Sequence, residues 1–286
     1  MNPKRAGLAA LAAVVVTAGA PAVASGSPDS TLPDSAETLP QVDMEMVLKA
    51  AQIDPRRADQ APTPGAKDSV MAVEQALRAN GLLDQERVDG HYGTETVLAY
   101  AGFQRSLGHE GMAASGFPGI DSLRRLSENR FEITRTVVPG ERSKSDGETV
   151  NARTKAMLAE AERLTEQDFT LEQGSYNPGG DPTSAGTHDG GGVVDIDVHG
   201  MDAVAVTESV EALRRVGFAA WHRTEEQGDW PAHIHAAAIS DPDLSTPAQH
   251  QPGDYYLGRN GLADQGADDG PPVKPIRTWE EYRRAN

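Results

Sequence analysis

Two short stretches of this chain carry side chains able to do chemistry. THDGGGVVDIDVH (Thr187–His199) places His188 before three consecutive glycines, with Asp195 seven positions on and Asp197 and His199 at alternate positions after it. AHIHAAAI (Ala232–Ile239) holds His233 and His235 two residues apart. In a strand, successive side chains alternate between faces. Val194, Ile196 and Val198 then go to one side and Asp195, Asp197 and His199 to the other, while His233 and His235 share a face opposite Ile234 and Ala236. If the two strands are neighbours, two imidazoles look across at carboxylates.

His188 can fold back toward Asp195, because the free dihedrals of the intervening glycines make that approach sterically cheap. His188, Asp195 and one of His233 and His235 supply three ligands and leave a fourth position open, the pattern of a catalytic zinc site. The chain has no cysteine, so neither a thiolate ligand nor a disulfide is available. Imidazole with carboxylate suits zinc best among the common metals, with cobalt and manganese as alternatives. A phosphate-cradling turn needs its glycines between a strand and a helix, with a Lys or Ser/Thr at the end. Here they precede a strand and no Lys follows. A solvated glycine loop accounts for His188 alone, but not for its joint occurrence with the H-x-H pair.

The elements that must hold these residues can be read around them. VNARTKAMLAEAERL puts Val150, Met157, Leu158, Ala161 and Leu164 on one helical face. A strand in FTLEQ precedes a long Gly/Pro/Ser loop. TESVEALRRVGF reads as a helix with Val210 and Leu213 inward and Gly217 at its end. FAAWHR and AHIHAAAI read as two further strands. The mixture of helices and hairpin-paired strands predicts an α+β domain with an antiparallel sheet over residues 150–240.

An earlier block, 67–128, has a different texture. SVMAVEQALRANGLL has near-helical spacing at Val70, Val73, Leu77 and Leu82, with Gly81 suited to the position after the helix end. A turn at Asp89-Gly90 follows, then an N-cap at Thr94 and a helix through Val97, Tyr100 and Phe103, then a short helix in GIDSLRRL. This predicts a small three-helix domain. Residues 129–149 read as a polar connector. Residues 25–66, rich in Ser, Pro, Asp, Ala and Thr, read as a disordered linker whose one exception is a possible amphipathic helix at Val42–Ile53. The segment 241–286 reads as a polar, Pro/Gly-rich C-terminal extension.

Lys4 and Arg5, an apolar run from Ala6 and the Ala22-Val23-Ala24 site before Ser25 predict a cleaved secretory signal over residues 1–24. The mature protein is then expected outside the cytoplasm, at the cell wall, with no stable membrane span. The net charge of −17 argues against nucleic acid and anionic membrane surfaces as partners.

Asp89-Gly90-His91-Tyr92-Gly93-Thr94-Glu95-Thr96 and Phe103-Gln104 match D-G-x-[FY]-G-x-x-T followed by F-Q. On these residues the 67–128 block resembles the peptidoglycan-binding module of cell-wall hydrolases, although its second glycine-rich repeat is degenerate. The stretch His188–Asp195 matches H-x-x-G-x-[AV]-x-D, and Asp229-Trp230-Pro231-Ala232-His233-Ile234-His235 matches the following H-x-H segment. The 150–240 region thereby resembles the superfamily of zinc D-Ala-D-Ala carboxypeptidases and hedgehog proteins. The resemblance implies His188, Asp195 and His235 as zinc ligands. It implies His233 as the group steadying the developing oxyanion, and Asp229 as the carboxylate taking a proton from the attacking water. Asn177 stands in Gly174-Ser175-Tyr176-Asn177 where relatives carry an Arg for a substrate carboxylate, which leaves stem-peptide and cross-bridge bonds both open. The expected activity is hydrolysis of peptidoglycan peptides. The alternative is a wall-binding protein whose peptidase-like domain keeps zinc for structure.

Overall fold

The computed structural model describes residues 38–286, so the expected signal segment and the first part of the linker lie outside it. Residues 39–286 form one compact unit of α+β class. Among the described residues, no helix is long and apolar enough to cross a membrane.

The unit begins where a linker was expected. β1 (Gln41–Asp43) leads into α1 (Met44–Ile53), capped by Asp43, whose side chain accepts from the backbone of Glu45 and Met46. α1 is buried along almost its whole length, with Met44, Val47, Leu48 and Ala50 fully enclosed. α1 is the amphipathic helix expected as the exception within the polar, proline-rich 25–66 stretch, and its apolar stripe packs on the next block.

That block contains the three expected helices, α2 (Lys67–Ala79), α3 (Thr94–Ser106) and α4 (Ile120–Ser127). Gly81 follows α2 with φ +71, as expected, whereas α3 is capped by Gly93 and Thr94 is its first helical residue. The Asp89-Gly90 turn serves structure. Its two backbone amides donate to the buried Glu74 carboxylate, and Asp89 accepts from the His91 amide. The core of this block is not its own, because Val42, Met44, Val47 and Leu48 share it with Val73, Leu77, Tyr100 and Leu123.

Residues 129–149, expected as a polar connector, contain short strands. β2 (Glu132–Thr134) pairs in parallel with β1, and β3 (Arg142–Ser145) forms a hairpin with β4 (Glu148–Asn151). β2, β3 and β4 are only three or four residues long, and apart from Val150 and Asn151 they bury no residue, so their sequence carries little apolar signal.

The second core lies on a four-stranded antiparallel sheet in the order β5 (Leu171–Gln173), β6 (Val193–Asp197), β8 (His233–Ala238), β7 (Phe218–Arg223). α5 (Ala152–Thr165) and α6 (Ala203–Val216) cover one face. There Val194, Ile196, Ile234, Ala236 and Phe218 meet Met157, Leu158, Val210 and Leu213. α6 starts at an Asp202 cap and stops at Gly217, whose φ of +111 suits a residue without a Cβ.

The opposite face is closed at one end by residues of the polar, Pro/Gly-rich C-terminal extension. α7 (Thr246–Tyr256), capped by Ser245, packs on β7, β8 and α1, burying Ala248 against Val193 and Ala237. α8 (Trp279–Ala285), held by a capping box of Thr278 and Glu281, ties back to α1 through Glu45–Arg284 and Lys49–Glu281 ion pairs. At the α1–α7 crossing a Cβ on Gly253 would stand 2.0 Å from the Gln52 carbonyl oxygen, so the two helices meet at a distance only glycine permits.

Candidate metal centre

The strand register delivers the residues that alternation placed on one face. Asp195 lies directly opposite His235, and Asp197 opposite His233, with Trp221 and Arg223 continuing the rows on β7. Their neighbours Val194, Ile196 and Ile234 enter the helical core, so every second residue of β6 and β8 is free to build a site on the other face.

His188 comes from a short 3₁₀ turn (Thr187–Asp189) rather than from the sheet. The glycines after it act mainly by leaving room. A Cβ on Gly190 would stand 2.3 Å from the Asp243 carbonyl oxygen, and one on Gly191 2.4 Å from the Tyr176 hydroxyl. Only Gly192, at φ +77, uses a conformation that other residues resist. The run packs His188 under the 241–245 segment, which corrects the expectation that all three glycines supply loose dihedrals.

Three buried side chains converge. His188 Nε2 lies 3.1 Å from one Asp195 oxygen and His235 Nδ1 2.8 Å from the other, and the three groups offer ligand atoms within 4.8 Å of one another. The rings of His188 and His235 stand 5.5 Å apart at 71°. The far nitrogen of each ring is already engaged. His188 Nδ1 is 2.9 Å from the Gly174 carbonyl oxygen, and His235 Nε2 is 3.0 Å from Gln251 Oε1 on α7. Both partners are acceptors, so a neutral ring that donates to its partner there turns a lone pair toward Asp195.

Two imidazole lone pairs and a carboxylate facing one another form a group that could hold a metal ion. His188 Nε2 is buried and makes no hydrogen bond despite its short distance to Asp195. Ligand atoms around a tetrahedral zinc at about 2.0–2.1 Å stand about 3.3 Å apart, so the observed spacings need only small adjustments. The electrostatics agree. Burial opposes the Asp195 charge, but His235 and His188 outweigh it and hold the carboxyl well below its ordinary range. Burial also opposes charge on His188, where contact with Asp195 prevails and raises its pKa, whereas on His235 burial prevails and lowers it. The donor set fits a divalent metal ion.

Of the other expected residues, His233 sits beside the cluster without joining it. Its Nε2 is 3.7 Å from Asp195, while Nδ1 is held 2.8 Å from the Pro231 carbonyl oxygen. Asp229 is exposed on the β7–β8 loop, and its side chain makes no hydrogen bond or ion pair. The adjoining Trp230 stacks edge-on against His233, with ring centres 6.4 Å apart, which brings this loop to the rim. Asp197 ends β6 and bonds the His199 amide, and His199 is exposed, so neither supports a ligand.

Sequence reasoning did not find Gln251. It lies in TPAQHQPGDYY, where Pro247, Pro252 and Gly253 disguise a helix. Partners of this kind orient the ligand ring, and losing one typically weakens metal binding about 10–100-fold. Gln251→Ala should lower zinc affinity by that order in competition with a chromophoric chelator, with little loss of folded structure by circular dichroism.

No protein-family model matches the chain, and no curated protein or solved structure is a significant match for it. The chemistry of its own side chains therefore carries the functional reading.

Proposed function

We propose that this protein is a secreted zinc peptidase acting on the stem or cross-bridge peptides of peptidoglycan. The observation that carries this reading is the set of inward-facing lone pairs on His188, Asp195 and His235, fixed from behind by Gly174 and Gln251. When bound, a zinc ion supplies a Lewis acid that polarises the scissile carbonyl and acidifies water. His188, Asp195 and His235 would hold it. Asp195 and His233 each keep 11% of the side chain exposed, so substrate approaches along that side. His233, its Nδ1 proton given to the Pro231 carbonyl, presents Nε2 beside the site and, when protonated there, donates to the oxygen that gains charge. Asp229, at the rim next to Trp230, accepts the proton of the attacking water and returns it to the leaving amine.

The helical block with its D-G-x-[FY]-G-x-x-T turn is the wall-binding part. It shares one compact unit with the site, so it presents the cleft at a fixed orientation and raises the local concentration of substrate. The exposed, unpaired state of Asp229 favours a second reading, a wall-binding protein that keeps zinc without hydrolysis.

Digestion of purified muropeptides with zinc-loaded protein, followed by mass spectrometry, separates the two. New peptide fragments that disappear with Asp229→Ala support the peptidase and name the bond. Fragments absent from both digests leave only the binding protein.

A further inference from the structure

Arg223 is the last residue of β7 and the cross-strand partner of His233, so it stands on the same sheet face as Asp195 and His235. It is 3% exposed. Its guanidinium makes one side-chain hydrogen bond, from Nη2 to the Asn260 carbonyl oxygen at 2.7 Å, and Nη1 is buried with no partner. Among the described residues no carboxylate forms an ion pair with it.

The other two deeply buried arginines show what is missing. Arg153 is paired with Glu280 and the Ile239 carbonyl, and Arg214 with Asp268 and the carbonyls of Ala220 and Pro271. The carboxylates in the field of Arg223 are committed elsewhere. Asp195 faces the histidines, Asp264 accepts from Asn260 and Gly266, and Asp269 accepts from Gln227. Burial lowers the Arg223 pKa to about 10, which still leaves the group charged at neutral pH. The Trp221 ring, 4.9 Å from the guanidinium carbon, steadies it without neutralising it. A buried, charged, under-bonded fork beside a metal face is stable in proportion to the anion it receives.

We infer that Arg223 is the anion receptor of this site and takes the free α-carboxylate at the C-terminus of a peptide. This rests on the peptidase reading above and narrows it to substrates with a free C-terminal end. A planar monoanion matches a single guanidinium fork. A phosphate would call for a further free cation, and Arg214, the other arginine in the field of Arg223, is already committed to Asp268.

The test uses full-length protein freed of metal with EDTA, so that no ion competes for the carboxylate. N-acetyl-D-alanyl-D-alanine and its C-terminal amide are titrated by NMR into wild type, Arg223→Met and Arg223→Lys. Wild type should bind the acid about 10–100-fold more tightly than the amide. Arg223→Met should erase the difference, and Arg223→Lys, which keeps charge without the fork, should retain about a tenth of the acid affinity. If Arg223→Met does not fold, the lysine variant carries the comparison. Equal binding of acid and amide by wild type, no binding of the acid at millimolar concentration, or a preference that survives both substitutions overturns the proposal. Muropeptide cleavage without an acid preference defeats this inference alone. An acid preference without cleavage defeats the catalytic reading alone.

Discussion

Asp195→Asn is expected to abolish metal binding, taking zinc from about one ion per chain to near zero by elemental analysis after dialysis. The substitution keeps the shape of the side chain but removes the negative charge that lies against His188 Nε2 and His235 Nδ1. A neutral amide at that position leaves two imidazoles, too few for a closed or catalytic zinc site. The same change is visible in stability. Zinc at about a thousand times its Kd stabilises the folded state by about 4 kcal/mol, which for a unit of this size raises Tm by about 8–16 °C. Wild type should show that shift in a thermal melt, and Asp195→Asn should show none. A full zinc-dependent shift in the variant would mean that the metal sits elsewhere.

Acid should reduce the wild-type shift, because the metal must displace protons from the imidazoles. His188, whose pKa is raised, and His235, whose pKa is lowered, do not share this competition equally. His188 is the ligand that holds its proton to higher pH, so zinc binding weakens first through that residue as pH falls.

The legible parts of this site are those governed by short-range periodicity. VVDIDV and AHIHAAAI announce their faces by alternation, and the register of Asp195 against His235 follows once the strands pair. His188 was legible through its glycines, although their reason is close packing against Asp243, Ser245 and Tyr176 more than freedom of φ. What the sequence hid lies in long-range packing. α7 reads as a loop by its prolines, and its value to the site depends on Gln251 meeting His235 across the sheet. α1 is buried by partners from α2 to α8, none of which its own composition reveals. Asp229 came from motif matching alone, and local pattern says nothing about whether a loop carboxylate reaches a metal.

The contact that joins these hidden elements is Asp254, and its removal should be the largest purely structural loss. Its side chain is fully buried on α7. It takes a two-pronged bond from Arg56, which follows α1, at 2.9–3.1 Å, and it also meets His250 and Arg259. Asp254→Ala strands Arg56 and Arg259 and should cost about 3 kcal/mol at neutral pH, or about 6–12 °C in Tm. The pH dependence has a definite sign. Burial opposes the Asp254 charge, but His250 and Arg56 outweigh burial and hold the carboxyl below its ordinary value. A group depressed in this way contributes in full above the unfolded value of about 3.9 and loses its contribution as pH falls through the folded value. Chemical unfolding should therefore separate wild type from Asp254→Ala at pH 7, and the gap should narrow as pH falls below the unfolded value and through the lower folded one. Because α7 also carries Gln251, the variant should bind zinc more weakly than wild type even where both are folded. Unchanged zinc affinity with lowered stability would show that α1 secures the fold without steadying the metal ligand.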